Sequence, residues 1–348
     1  MATVTSSRPH SGHASDADSS ALTRVAIAGA TGYAGQELVR ILARHPHVRL
    51  TAAMSSGASS APRPLPALAR LWEGTVVPLD LDRLVADADV VFLALPEAAS
   101  AEIAPALLER GRRVIDLSGA FRIRSDADRQ RWYPATATLP AGTVYGMSEH
   151  HGAPIAQARL VSNPGCYPTA ALLALTPLRA AGLIEGSIVV DAKSGISGAG
   201  KAPTERTHFC ENHGSVAAYG VFSHRHTAEI EQELSMPVTF VPHLVPLDRG
   251  ILETIYVSLR RGTTAAAVAE ALEGAYAAAP FVRLTGDALP EIKHVAYTNF
   301  CDIGWKVDEP GARAVLVVVI DNLVKGAAGS AVQNLNIMLG IDERTGLI

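Results

Sequence analysis

From Leu22 the chain reads LTRVAIAGATGYAGQELVRILARHP: an apolar run, a turn with three glycines, then Leu38, Ile41 and Leu42 at helical spacing. A short apolar run that stops at glycine predicts a buried strand, and positions three and four apart predict a helix. Few folds open this way. Strand, glycine turn and helix form the first unit of a dinucleotide-binding α/β domain, whose parallel sheet is covered by helices. Gly29, Gly32 and Gly35 stand three apart, as GxxGxxG in place of GxGxxG. The physical logic is unchanged: without side chains, the backbone N–H groups at the helix start can approach a pyrophosphate.

The second strand, Val48 to Met54, ends in Ser55-Ser56 where an acidic residue would meet a ribose 2'-hydroxyl. The missing carboxylate favours NADP, because a carboxylate there would repel a 2'-phosphate. Ser55, Ser56 or Arg63 could meet that phosphate. Residues 88–96 and 113–118 read as two more buried parallel strands, ending at turns where ligands gather. Further on, strands over 187–191, 238–241 and 251–258 alternate more clearly, which suggests a mixed or antiparallel sheet suited to subunit contact, and 315–320 is a further buried strand. Residues 326–340 predict a helix that packs back on the nucleotide domain. The expected division is a disordered polar tail over 1–21, a nucleotide domain over 22–165 completed by 326–348, and a catalytic and oligomerisation domain over 166–325.

The stretch SNPGCYPT sets Cys166 at a turn between a strand over 158–161 and an apolar helix from Thr169, with Pro168 suited to the first helical position. A thiol at a helix start faces unpaired N–H groups and the positive dipole end, which lower its pKa from roughly 8.5 toward neutrality. A base for it is offered by His224-Arg225-His226, just before Thr227, a candidate helix N-cap. Of the two, His224 is the expected acid/base, and His226, next to the cap, the expected substrate contact. No third ligand of convincing spacing accompanies them for zinc. Cys166, Cys210 and Cys301 form neither a disulfide framework nor a metal pair. A net charge of −4 without a long basic run points away from nucleic acid and anionic membranes. No apolar run reaches the ~18 residues of a membrane span, and the first twenty residues lack the apolar core of a signal peptide, so a cytoplasmic enzyme is expected.

GATGYAG, DLSGAFR, SNPGCYPT, KSGISGAGK, HRH, VPHLVPLDRGI and AVQNLNIMLG occur in that order. Together they resemble the type 1 N-acetyl-gamma-glutamyl-phosphate reductase family, from about Thr23 to the C-terminus. The resemblance implies an α/β fold: a Rossmann-type parallel-sheet nucleotide domain plus an α+β catalytic and dimerisation domain of the glyceraldehyde-3-phosphate/aspartate-semialdehyde dehydrogenase type. It implies NADPH-dependent reduction of an acyl phosphate through a Cys166 thioester, in arginine biosynthesis. Asn163 and the Cys166 N–H become candidate oxyanion donors. Arg122, Lys201, Arg225 and Glu229 become candidate substrate contacts. Thr31, Tyr33, Leu95, Pro96, Ser118, Gly195, Gly198 and Asn334 join the three glycines and the serine pair toward the cofactor, and the implied assembly is a homodimer or homotetramer. One departure is Glu97, where the family commonly has a histidine. Rival readings are an aspartate-semialdehyde dehydrogenase, a nucleotide-binding regulator without turnover, and a Cys-His hydrolase, which would not need GATGYAG.

Overall fold

A computed structural model describes residues 22–56 and 61–348. The tail expected over 1–21 lies outside the described residues. Two seven-stranded sheets organise the described chain. The first contains β1 Thr23–Ala28, β2 Val48–Met54, β3 Val76–Val77, β4 Val90–Leu93, β5 Arg113–Asp116, β6 Thr143–Tyr145 and β7 Leu160–Ser162, in the order 3-2-1-4-5-7-6. Every pairing in it is parallel. The helices α1 Tyr33–Leu42, α2 Leu81–Asp87, α3 Glu97–Glu109, α4 Asp126–Trp132 and α5 Ser148–Gln157 connect or flank these strands.

The chain then crosses over through α6 Cys166–Ala180. The second sheet is built from β8 Ile184–Gly195, β9 Ala217–Ala218, β10 Thr239–Val245, β11 Ile251–Leu259, β12 Val282–Gly286, β13 Cys301–Asp308 and β14 Arg313–Ile320. Its order is 12-13-14-11-8-10-9, with β8–β10 and β12–β13 parallel and the rest antiparallel. Helices α7 Phe209–Asn212, α8 His226–Leu234 and α9 Ala265–Tyr276 belong to this half, and α10 Gly329–Leu339 ends the fold.

Packing follows the alternation of the strands. Ile188, Val190 and Ala192 of β8 and Ile251, Ile255 and Val257 of β11 bury one sheet face against α6. The first sheet is covered on both faces, as a parallel sheet requires. Leu38, Val39 and Leu42 of α1, Ile155 of α5, and Ala331, Val332, Leu335 and Met338 of α10 share one core with Ile27, Phe92 and Ile115. Leu84, Ala104 and Leu107, from α2 and α3, cover the other face. The last helix therefore packs with the first strands. No helix among the described residues is long and apolar enough to cross a membrane.

Candidate active site

The glycine turn after β1 is shaped by contact. Gly29 has φ +94°, and a Cβ on it would run into the carbonyl oxygen of Ala94, the residue after β4. Gly32, the N-cap of α1, is different: the nearest heavy atom to a Cβ there would be 3.6 Å away. Nothing among the described residues forbids a side chain at Gly32, so its absence leaves a cradle at the helix start for an anionic group. At the end of β2, Ser55 is buried with its amide bonded to Val77, and Ser56 is exposed. No carboxylate stands at either position, and Arg63 is exposed beside β3, to which its backbone is bridged. These residues fit a dinucleotide carrying a 2'-phosphate.

Cys166 is the first residue of α6, and Gly165 is its N-cap. The helix starts three residues before the expected Thr169, so Pro168 occupies the third helical position; its missing N–H is still one of the four a helix start leaves unpaired. Two buried groups, Arg122 and Glu229, fasten the turn. Arg122 Nε donates to the Asn163 carbonyl oxygen at 2.9 Å, and its Nη2 donates to Leu117 at 2.8 Å. Glu229 Oε1 accepts from the Gly165 N–H and from the Tyr145 hydroxyl, both at 2.7 Å. The pair Arg122–Glu229 closes at 3.5 Å with both side chains buried. His226 Nε2 lies 3.4 Å from Arg122 Nη1 and packs on Gly165, where any Cβ would strike both. Behind the thiol, a π-turn over Val324–Ala328 brings Gly326 so near that a Cβ there would come within 2.8 Å of the Cys166 Cβ.

Cys166, Arg122, His224, Arg225 and His226 all line one cavity of about 420 Å³. Leu117 and Gly119 bring the loop after β5 of the first sheet to the same space, Gly198 comes from the turn after β8, and Tyr133, Tyr167, Tyr219 and Ser194 complete its walls. Of these last four, Tyr167 stands inside a quoted motif without being singled out, and Tyr133 and Tyr219 carry no sequence signal.

Ionisation in the cavity departs from the expectation. Burial pushes the Cys166 thiol up to about 11, outweighing the pull of Arg122 and of the Tyr167 N–H. Burial, with Arg225 beside it, takes His224 down to about 4, and burial with His224 and both arginines takes His226 well below its usual value. The resting site thus holds a neutral thiol and neutral imidazoles, and the thiol needs a base.

The two histidines are not equivalent. Their rings stand 4.7 Å apart, edge to face. His224 Nδ1 accepts the His226 backbone N–H at 3.1 Å, and its ring sits among Tyr167, Tyr219 and Phe240. Helix α8 begins at His226, with Arg225 at the N-cap, and the Thr227 hydroxyl is buried without a hydrogen-bond partner among the described residues. Thr227 is therefore no cap, and the reason for preferring His224 as the acid/base falls.

Several expected contacts lie elsewhere. The Asn334 amide donates to Gly146 at 2.8 Å and to Asn163 Oδ1 at 3.0 Å and accepts from Ser148 at 2.8 Å, so it is spent within the protein. Asn163 is buried, with its amide on Asn334 and Ala327; it braces the turn and does not line the cavity. Glu229 is likewise a brace for Gly165 and Arg122, not a substrate contact. Lys201 reaches the nucleotide turn, 3.2 Å from the Thr31 carbonyl oxygen. Gly195 packs on the Arg249 backbone, whereas Gly198 faces the cavity. Ser118 donates to Asp116 at 2.7 Å and shapes the loop after β5, while Leu95 is buried and Pro96 exposed at the end of β4. Tyr33 is exposed and lines a separate cavity.

Comparison with known proteins fits this geometry. Residues 24–158 match the semialdehyde dehydrogenase NAD binding domain, and residues 166–322 match the semialdehyde dehydrogenase dimerisation domain. The N-acetyl-gamma-glutamyl-phosphate reductase of Brevibacillus brevis is 45% identical over 94% of this chain and 98% of its own. The chain belongs to the N-acetyl-gamma-glutamyl-phosphate reductase family. The reductase of Syntrophobacter fumaroxidans is 46% identical over the same shares. Solved structures agree on the fold: aspartate semialdehyde dehydrogenase II of Vibrio cholerae aligns with a TM-score of 0.71 at 22% identity, covering 92% of this chain and 98% of that one. The Candida albicans aspartate semialdehyde dehydrogenase, solved with NADP, aligns at 0.69 and 16% identity, covering 91% and 98%. In this reductase-family chain the nucleophile turn, the histidine pair and the loop after β5 meet around one cavity.

Proposed function

We propose that the chain is an NADPH-dependent N-acetyl-gamma-glutamyl-phosphate reductase, forming N-acetylglutamate 5-semialdehyde and phosphate in arginine biosynthesis through a thioester on Cys166. The observation that carries this reading is a helix-start thiol sharing a cavity with His226, Arg122 and the loop after β5. His226, not His224, takes the thiol proton, because its Nε2 packs against the turn that holds Cys166. The sulfur attacks the γ-carbonyl carbon, the carbon–oxygen bond to phosphate breaks, and phosphate leaves beside Arg122. Bound NADPH supplies the hydride that reduces the thioester. First-turn N–H groups of α6 hold the developing oxyanion, the carbon–sulfur bond then breaks, and the aldehyde departs. Gly29, Gly32 and Gly35 would hold the pyrophosphate and Ser56 the 2'-phosphate, with Arg225 toward the substrate carboxylate.

In this reading residues 22–165 with 326–348 form the nucleotide domain and 166–325 the catalytic and oligomerisation domain of a cytoplasmic enzyme. A second copy seats on the outward face of the second sheet. Support comes from that face: Val189, Val241, Leu252 and Val315 are only half-buried, Tyr256 is 47% exposed, and Asp191 ties Lys193 at 2.7 Å and His243 at 3.3 Å beside them. Val241→Asp should lower the solution mass by light scattering, since it sets a charge in an apolar contact; an unchanged mass would move the interface elsewhere.

The activity is tested by following NADPH formation with NADP, phosphate and each of three aldehydes. N-acetylglutamate 5-semialdehyde should exceed glutamate and aspartate semialdehydes in kcat/KM by about 10²-fold or more, because an unacetylated amine leaves acetyl contacts unmade and brings a charge. Preference for aspartate semialdehyde would reassign the substrate.

A further inference from the structure

Arg225, placed above toward the substrate carboxylate, is already paired with an acidic residue that the chemistry does not use. Arg225 lines the cavity with its side chain 57% exposed, its Nη1 3.3 Å from Glu97 Oε2 and its guanidinium 5.1 Å above the Tyr133 ring. Glu97 is the first residue of α3, directly after the β4 loop. Its side chain is only 16% exposed, and its Oε1 is buried with no hydrogen-bond partner among the described residues. The start of a helix suits a carboxylate whether or not Arg225 is bound to it. A single long contact to a half-exposed arginine is weak, so Arg225 can change partner at little cost.

We propose that Glu97 is a specificity-determining residue: it holds Arg225 across the mouth of the cavity until the substrate's α-carboxylate takes its place. The inference rests on the reductase reading, in which the substrate carries a carboxylate remote from the reacting carbonyl. Glu97 acts through Arg225: an incoming carboxylate must break the Glu97–Arg225 pair before it can take the guanidinium. That weakens binding and does not touch the reacting atoms. The opposing effect, loss of order in Arg225 once Glu97 is removed, is limited by the Tyr133 ring, which still supports the guanidinium. Glu97 therefore admits ligands whose carboxylate is placed to replace its own and turns away anions that are not.

Steady-state kinetics with N-acetylglutamate 5-semialdehyde, NADP and phosphate test this on E97Q, R225Q and the double variant. R225Q should raise the aldehyde KM about tenfold or more, with the smaller effect on kcat. E97Q should lower it by about two- to fivefold, as expected for release of an exposed pair, with kcat and the NADP KM held. Glu97→His, which also carries no negative charge, should behave like E97Q. In the R225Q background, E97Q should change nothing further. An aldehyde KM that is unchanged or raised in both Glu97 variants overturns the role of Glu97 and leaves Arg225 standing. A shift that persists in the double variant, or a changed NADP KM, overturns it too, by making Glu97 a direct contact. A silent R225Q removes the carboxylate anchor and the proposal with it, while the preference among the three aldehydes still stands as the separate test of the reductase reading.

Discussion

Cys166→Ser is expected to lower reductase turnover by at least about 10³-fold while leaving NADPH affinity close to that of the parent enzyme. The serine hydroxyl has nearly the size of the thiol and would keep the same start of α6. What it lacks is acidity and nucleophilicity. A thiol that burial has already pushed up to about 11 sits at the edge of what a neutral histidine can deprotonate. An alkoxide in the same apolar setting lies far beyond it. The glycine turn between β1 and α1 does not touch the thiol turn, so fluorescence titration with NADPH should give an affinity unchanged within about twofold, as for a uniform-binding group left alone. Turnover above about one per cent of the parent would remove the covalent step.

The second large effect concerns the proton. His226→Asn should reduce kcat by about 10²- to 10⁴-fold, the range for losing a positioned acid/base, with little change in KM. It should also slow alkylation of Cys166 by iodoacetamide near neutral pH, because the neutral imidazole is what draws the proton from sulfur. With the thiol raised, the alkylation rate of the parent enzyme should keep climbing past pH 9 without a plateau in the neutral range. His224→Asn keeps the base, and its Oδ1 can still accept the His226 backbone N–H, but it loses the ring packed among Tyr167, Tyr219 and Phe240. A smaller loss, read in kcat without slower alkylation, is the expected result. If His224→Asn carries both the deep kcat loss and the slowed alkylation while His226→Asn carries neither, the roles are exchanged.

The ordering of these histidines shows where sequence reading stops. Residues 22–54 were fully legible: the glycine turn, the helix after it and the second strand from Val48 to Met54 all follow from local pattern. Strand β11 was nearly so, because Ile251, Ile255, Val257 and Leu259 recur at even spacing, although Glu253 shares their buried face. Strand β13 was not, since CDIGWKVD mixes an acid and a glycine with its apolar positions, and α9 is too rich in alanine to show a stripe. At the site, the residue types were legible and their environments were not. A helix start argues for an acidic thiol, but burial decides otherwise, and burial belongs to the assembled fold. Glu229, Asn163 and Asn334 look like ligand-facing polar residues in a motif, yet each is spent holding the turn around Gly165 or the segment behind it. A pair such as Glu97–Arg225, 128 residues apart, leaves no trace in spacing.

The place of α10 has a consequence for how the molecule is made. Ala331, Val332, Leu335 and Met338 are part of the same core as β1 and α1. A ribosome releases the strands and glycine turn of the nucleotide half early, but the apolar faces of α1 and α5 stay uncovered until α10 emerges, about 290 residues after the end of α1 and about 170 after the end of α5. The half that leaves first is therefore finished last. During that interval the uncovered stripe is a natural client for chaperones, and a premature stop before Gly329 would strand a sheet that has its strands but not its lid.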